Sequence, residues 1–192
     1  MSASRLVVVL TGVPGVGKTT VAEMLAARLQ GKHIDLSDLA ESEGLITGWD
    51  EERKTGLADL KGIRERISEV LASEKTLVIE GHFASDVVPP EAASHVFVLR
   101  RAPWKLKEEL LARDYGGGKV RENVEAELLD VCLLEAVEAY GPGRVCEVDT
   151  TDREPGDVVE EISSIIKRDR PCRLGWIDWL GRVEAEQLLG EW

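Results

Sequence analysis

Residues 12–19 have the spacing of a phosphate-binding loop, in which a glycine and four further residues precede Gly-Lys-Thr. Glycines in such a loop let backbone N–H groups surround a phosphate without Cβ clashes. We expect Lys18 to bridge the β- and γ-phosphates of ATP, and the Thr19 hydroxyl to bind Mg²⁺. The residues expected to hold the nucleotide in this region are Gly15, Val16, Gly17, Lys18, Thr19 and Thr20. The alternative is a glycine turn that happens to precede Lys-Thr.

An acidic residue, Glu80, ends the apolar run 77–79. It comes at the carboxyl end of a predicted strand, which is the edge of a parallel sheet where ligands bind. We therefore expect Glu80 to hold the Mg²⁺ through water, and His82 to orient an attacking water or an acceptor. In the alternative interpretation, Glu80 caps the strand and His82 is an ordinary loop histidine.

Two arginines are candidates for a positive clamp on a transferring phosphoryl group. Arg100 ends a predicted strand at the same edge of the sheet, and strand alternation favours Arg100 over Arg101 as the residue facing the cleft. Arg113 precedes the glycine run 116–118, which could close as a lid. The alternatives are surface ion pairs for the arginines and an inert linker for the glycine run.

Apolar periodicity predicts the elements that position these residues. Continuous β-branched and leucine runs are typical of strands buried on both faces, and three- or four-residue apolar spacing is typical of helices. The predicted strands are 5–10, 32–35, 76–80, 95–100 and 144–148. The predicted helices are 18–30, 57–71, 104–113, 121–140 and 157–168. This interleaving predicts an α/β fold with a parallel sheet covered on both sides.

Composition narrows the class of protein further. The chain has 192 residues with 43% hydrophobic and 31% charged side chains, which suits one compact domain. Its longest apolar run, residues 6–10, is far shorter than the roughly 20 residues that a membrane span needs. The net charge of −12 opposes general nucleic-acid binding through a basic face. The negative charge favours a basic protein partner, or it serves solubility alone. We expect a cytoplasmic location.

The cysteines and the C-terminal segment give two further expectations. Three cysteines that lie far apart without a CxxC pair predict reduced thiols rather than a disulfide framework or a zinc site. Residues 171–192 are too apolar for a free tail, and we expect a helical extension that docks on the body or on a second subunit. The apolar side chains that carry this expectation are Leu174, Trp176, Ile177, Trp179 and Leu180.

Residues 5–168 resemble a known family in the order and spacing of several motifs. The motifs that carry the resemblance are residues 12–20, 33–40, 49–52, 80–82, 96–100, 113–115 and 122–127. The family is that of the small adenylate-kinase-like ATPases of ribosome assembly, also called adenylate kinase isoenzyme six or coilin-interacting nuclear ATPase, with archaeal relatives. Glu80 is one methylene longer than the aspartate usual in the family, and the loop after Val148 carries about two additional residues.

The resemblance implies a three-layer, P-loop fold of nucleoside-monophosphate-kinase type with a five-stranded parallel sheet. Residues 1–170 would form the kinase-like domain, with an acceptor-nucleotide subdomain at 35–57 and a short lid at 113–119. The implied reaction converts ATP and AMP into two ADP, with ATP hydrolysis as a second activity. Arg113 would lie on the ATP phosphates and Arg153 near the adenine. A basic small-subunit ribosomal protein is the implied partner, and a nucleotide-dependent chaperone or release factor with little kinase turnover is the alternative.

Overall fold

The computed structural model describes residues 5–50, 55–113 and 115–182, in which strands and helices alternate along the chain. The strands are β1 (Leu6–Thr11), β2 (Lys32–Asp35), β3 (Ile46–Asp50), β4 (Thr55–Ala58), β5 (Thr76–Glu80), β6 (His95–Arg100) and β7 (Val145–Asp149). The helices are α1 (Lys18–Leu29), α2 (Leu36–Ser42), α3 (Leu60–Ser73), α4 (Ala84–Val87), α5 (Pro103–Ala112), α6 (Gly117–Leu128), α7 (Val131–Tyr140) and α8 (Pro155–Ile166).

Five of the strands form a parallel sheet, as the sequence predicts, and their order in it is β2-β5-β1-β6-β7. The central strand β1 carries Val7, Val8 and Val9, which have no exposed surface. Helices cover both faces of such a sheet, so its strands need an unbroken apolar run rather than an alternating one. The predicted bounds of all five strands are correct to within one residue at either end, although β2, with the sequence Lys-His-Ile-Asp, has no such run.

The connections differ more from the sequence prediction than the sheet does. Residues Thr55–Ala58, expected to lead into a helix from residue 57, form β4, which pairs antiparallel with β3. Helix α3 begins only at Leu60, where the Asp59 side chain accepts hydrogen bonds from two backbone N–H groups. The predicted helix 121–140 is two helices, because Asp130 between them has a left-handed φ of 58°.

The segment after α8 folds back onto the body. Ile177 and Trp179 are buried, which agrees with the expectation of docking for the part that the structure describes. The expected helix is wrong over 171–182, where the only regular element is a 3-10 turn at Leu180–Arg182. Residues 183–192 lie outside the described residues.

The cysteine prediction is also wrong. Cys146 on β7 and Cys172 in the returning segment form a disulfide, with Cα atoms 5.3 Å apart. Their separation of 26 residues gives no local signal, and the pair forms because the C-terminal segment runs beside β7. Cys132 is a free, buried thiol. Among the described residues, none of the helices has the length and apolar character to cross a membrane.

Candidate nucleotide site

The loop between β1 and α1 approaches its neighbours so closely that side chains would not fit. Gly12 has a φ of 138°, and a Cβ there would lie 2.5 Å from the carbonyl oxygen of Leu99 on β6. Gly15 has a φ of 97°, and a Cβ there would lie 2.8 Å from a methyl group of Leu106 on α5. The glycines therefore let the loop pack tightly between the sheet and α5 in a conformation that other residues rarely adopt.

Lys18 begins α1 and turns back over the loop. Its Nζ donates hydrogen bonds to the carbonyl oxygens of Gly12 at 2.9 Å and Val13 at 3.1 Å. Burial lowers the pKa of Lys18, while the negative charges of nearby carboxylates, Glu80 first, act in the opposite direction. The ammonium is therefore fixed on the loop backbone, beside the positive end of α1, where a phosphate group would bind.

A cleft of ≈ 380 Å³ runs along the carboxyl ends of β1, β2 and β5. It brings together most of the predicted residues, including Lys18, Thr19, Glu80, His82 and Arg113. The residues that line it are Pro14, Gly15, Gly17, Lys18, Thr19, Thr20, Asp35, Ser37, Glu80, Gly81, His82, Arg113 and Tyr115.

Five lining residues were not among the predicted site residues: Pro14 and Gly81, which lie inside the phosphate-loop and 80–82 motifs, and Asp35, Ser37 and Tyr115. Asp35 ends β2 just as Glu80 ends the neighbouring β5, so the same edge-of-sheet argument could have found it. Its Oδ1 also accepts hydrogen bonds from the backbone N–H groups of Ser37 and Asp38, which caps α2. Tyr115 belongs to the predicted lid 113–119, but no role for its side chain was predicted from the sequence.

Glu80 is buried, with 2% of its surface exposed. Burial, with the neighbouring Asp35 carboxylate, raises the pKa of Glu80 to about 7, although the Thr19 hydroxyl and Lys18 act in the opposite direction. Its Oε1 has no hydrogen-bond partner in the part of the chain that the structure describes. The adjacent carboxylates of Glu80 and Asp35, with the unpartnered Oε1, would be stabilised by a cation or a proton bound at this point.

These residues fit a magnesium ion that arrives with a nucleotide. Carboxylate and hydroxyl oxygens are the ligands that Mg²⁺ prefers, and it usually keeps several waters and takes phosphate oxygens as well. No group of three or more His, Cys, Asp or Glu side chains within the described ranges could hold a metal alone. Thr19 and Glu80 would therefore hold the ion together with phosphates and water.

His82 lies between this cleft and a second pocket. Desolvation in the cleft, and then the positive charge of Lys18, lower the pKa of His82. The imidazole is consequently neutral at pH 7 and can accept a proton or a hydrogen bond. Its ring contacts Phe83 edge-on, with centroids 4.9 Å apart.

The second pocket, of ≈ 490 Å³, adjoins the first and shares Ser37 and His82 with it. The β3–β4 hairpin forms one wall, and the Trp49 indole on it is 57% exposed. The residues that line the pocket are Ser37, Ala40, Glu41, Ile46, Trp49, Gly56, Leu57, Ala58, Leu60, His82, Phe83 and Asp86. Most of this wall falls within residues 35–57, the predicted acceptor-nucleotide subdomain.

Arg100 is not brought to the cleft, which corrects the expectation of a phosphate clamp. Its guanidinium is 1% exposed and donates to Glu127 Oε1 and Glu147 Oε1, each at 2.7 Å, and to Asp130. The expected division of roles with Arg101 also fails, since Arg101 instead pairs with Glu109 and donates to the Thr150 carbonyl at 3.0 Å. Arg100 is held by the buried carboxylates of Glu127 and Glu147 rather than by the phosphate loop, because a buried guanidinium needs paired charges to replace the water it loses.

Arg153, expected near the adenine, lies outside the residues that line the cleft. Its guanidinium donates to the Asp149 carbonyl at 2.8 Å and to Glu161 Oε2 at 2.7 Å. The turn that carries Arg153 does contact the phosphate loop, because the Thr150 hydroxyl donates to the Val16 carbonyl at 3.1 Å. The adenine contact of Arg153 stays a prediction.

Comparisons of the sequence with known proteins identify relatives of this chain. A family profile described as "AAA domain" matches residues 8–130. A Methanocaldococcus jannaschii protein named "putative adenylate kinase" is 38% identical over 172 residues, covering 90% of this chain and 92% of that protein. A protein of the same name from Methanothermobacter thermautotrophicus is 41% identical over 172 residues, covering 90% and 96%. The chain belongs to the family of these archaeal proteins named "putative adenylate kinase".

Solved structures of kinases share the family's fold. Shikimate kinase from Bacteroides thetaiotaomicron matches with a TM-score of 0.58 and 19% identity, covering 84% of this chain and 98% of that one. A gluconokinase from Sinorhizobium meliloti matches with a TM-score of 0.57 and 19% identity, covering 86% and 93%. At such identities the likeness shows the fold alone, an α/β fold with a five-stranded parallel sheet.

Proposed function

We propose that this protein is a nucleoside monophosphate kinase that converts ATP and AMP into two ADP. The observation that carries the proposal is the pair of adjoining pockets that share Ser37 and His82. One contains the phosphate loop and the other is an apolar pocket with an exposed indole, which suits a nucleotide base. The name of the archaeal relatives supports the same activity.

In this proposal the γ-phosphoryl group moves between two phosphate oxygens. An oxygen of the AMP phosphate forms a bond to the γ-phosphorus, while the bond from that phosphorus to the β–γ bridging oxygen breaks. Lys18 and Arg113 stabilise the charge that develops on the transferring group. Thr19 and Glu80 would hold Mg²⁺, which supplies further neutralisation of phosphate charge when it is bound.

We propose ATP hydrolysis as an accompanying activity. His82 is neutral and lies where the two pockets meet, so its imidazole can hydrogen-bond a water as readily as an acceptor phosphate. With the acceptor pocket empty, water then takes the place of the AMP oxygen. His82→Ala should therefore reduce phosphate release more than phosphoryl transfer to AMP.

We also propose a basic small-subunit ribosomal protein as partner, on the resemblance described for residues 5–168. The net charge of −12 supports attraction to a cationic protein. A nucleotide-dependent chaperone or release factor with little kinase turnover is the second candidate, and the same charge favours it. Action in the cytoplasm stays a prediction from the sequence.

A panel of nucleoside monophosphates, offered with ATP and Mg²⁺ while ADP and free phosphate are both measured, tests the proposal. Rapid ADP formation that depends on AMP supports the kinase. Phosphate release without AMP supports hydrolysis as the main activity, and negligible turnover with tight binding of the basic protein supports the chaperone. Trp49→Ala should raise KM for AMP but not for ATP, whereas Leu134→Ala, at an exposed site on α7, should change neither.

A further inference from the structure

The segment that carries Arg113 is the tip of a helical hairpin. Helix α5 ends at Ala112 and α6 begins at Gly117, so Arg113 lies in the short connection between them. The base of the hairpin consists of the first turn of α5, with Trp104, and the last turn of α6, with Glu127. A rotation of the hairpin about its base would therefore turn around these two residues.

One side chain of the returning C-terminal segment contacts both of them. The Trp179 indole is 2% exposed, and its Nε1 donates to Glu127 Oε1 at 2.9 Å. The same indole packs edge-to-face on Trp104, with ring centroids 5.8 Å apart and planes at 84°. Trp179 thus joins the beginning of α5 to the end of α6.

Glu127 also connects the hairpin to the sheet. The oxygen that accepts the Trp179 hydrogen bond accepts another from Arg100 Nε at 2.7 Å and a third from the Arg101 backbone N–H at 3.1 Å. Both arginines lie at the end of β6, whose Leu99 carbonyl touches the phosphate loop at Gly12. The base of the hairpin is therefore fixed relative to the loop that would bind the phosphates.

The segment that carries Trp179 is itself held at two other points. The Cys146–Cys172 disulfide joins its beginning to β7. Further along, Glu147 accepts hydrogen bonds from the backbone N–H groups of Gly175 and Trp176, the latter at 3.2 Å. Because these contacts anchor the segment to the sheet, Trp179 is a fixed support rather than a loose cover.

We propose that Trp179 is a positioning residue, which sets the position of Arg113 by fixing the base of the α5–α6 hairpin through Trp104 and Glu127. This inference rests on the proposed function. At 1.5 Å per residue, Arg113 lies about 14 Å along α5 from Trp104, so a 10° rotation at the base displaces it by about 2 Å. Misplacement by about 1 Å can cost on the order of a hundredfold in rate.

Trp179→Phe keeps the aromatic contact with Trp104 but removes the hydrogen bond to Glu127. We expect it to lower kcat about tenfold and raise KM for ATP, with KM for AMP little changed. Trp176→Phe is the matched control, because Trp176 lies in the same segment, its Nε1 donates to the Glu147 carbonyl on β7 at 3.5 Å, and its ring packs on Arg173. An equal loss in both variants would show a general effect of the segment and overturn the proposal.

A double-mutant cycle tests whether the effect passes through Arg113. If Trp179 acts by placing Arg113, then Trp179→Phe should have almost no further effect in an Arg113→Ala background. A tenfold loss that persists in that background would contradict the proposal. So would unchanged kinetics in a folded Trp179→Phe protein.

A second readout does not depend on kinase activity. Trypsin cleavage after Arg113, followed by mass spectrometry, should be faster in Trp179→Phe than in the wild-type protein or in Trp176→Phe. A wild-type protein without phosphoryl transfer would defeat the proposed function, while the cleavage rates would still test the role of Trp179. Equal cleavage rates in all three proteins would overturn that role.

Discussion

Glu80 Oε1, in the wall of the cleft, and His33 Nε2 lie 3.9 Å apart, and neither atom has a hydrogen-bond partner in the described parts of the chain. A buried carboxylate oxygen without a partner is costly, because it has lost water and gained no donor. Burial and the Asp35 carboxylate raise the pKa of Glu80 to about 7, so a proton can meet part of this demand near neutral pH. A bound cation would meet it better, so the two sources of positive charge should compete.

Binding of Mg²⁺ with nucleotide should accordingly depend on pH through Glu80. The carboxyl must lose its proton to ligate a metal, and its pKa is raised to about 7, so affinity should increase as pH rises from 6 to 8. Calorimetry in buffers of different ionisation enthalpy should show proton release on binding near pH 7. Glu80→Gln should abolish both the proton release and the pH dependence, and an unchanged pH profile in that variant would assign the titration to another group.

The same carboxyl should affect the stability of the nucleotide-free protein. Its pKa is higher in the folded state than the 4.5 of an unperturbed Glu, so the folded state binds the proton more tightly. The contribution is complete below pH 4.5 and is lost as pH rises through 7. It amounts to at most about 3 kcal/mol. Denaturant unfolding at pH 5 and pH 8 measures it, and Glu80→Gln should remove most of the difference.

Lys18→Ala should remove nearly all activity and leave the fold intact. Loss of a group that stabilises developing charge costs about 3–4 kcal/mol in the transition state, or several-hundredfold in rate. Stability should change little, because the hydrogen bonds of the ammonium run to two loop carbonyls and its pKa is already lowered by burial. Coupled assays and thermal melts measure the two effects, with Lys61→Ala on the exposed face of α3 as control. A variant that keeps more than a tenth of wild-type turnover would refute the assignment of the loop.

Arg100→Ala should act on stability first. It leaves Glu127 and Glu147 buried without their cation, and breaking one partner of a buried ion pair typically costs about 3–5 kcal/mol. Chemical unfolding should show this loss in the absence of any nucleotide, and Arg100→Lys should recover only part of it. Normal stability together with a raised KM for AMP would instead restore Arg100 to the phosphate site.

Reduction of the Cys146–Cys172 disulfide should lower the free energy of unfolding. The disulfide closes a loop of 26 residues and so lowers the conformational entropy of the unfolded chain. In the chain-entropy account this stabilises the folded protein by about 3 kcal/mol. Unfolding with and without a thiol reductant measures the effect, and Cys172→Ser should be insensitive to the reductant. Cys132→Ala is the control, and it should keep the reductant sensitivity of the wild-type protein, because Cys132 lies outside the disulfide.

The sequence by itself determined the features that depend on neighbouring residues. The phosphate loop is recognisable because its glycines and Lys18 act within eight consecutive positions. Glu80 is recognisable because an acidic residue at the end of an apolar strand has a known place at the sheet edge. The central strands β1, β5 and β6 follow from unbroken apolar runs, which a sheet covered on both faces requires.

Only the tertiary structure decided which distant side chains meet. Arg100 joins Glu127 and Glu147, which are 27 and 47 residues away, and so leaves the cleft that its strand position suggested. Trp179 reaches Glu127 across 52 residues, and Cys146 reaches Cys172 across 26. Periodicity in the sequence predicts that a side chain is buried, but it does not predict which residues that side chain contacts. Long polar side chains turn toward the charged groups that the packed helices place beside them.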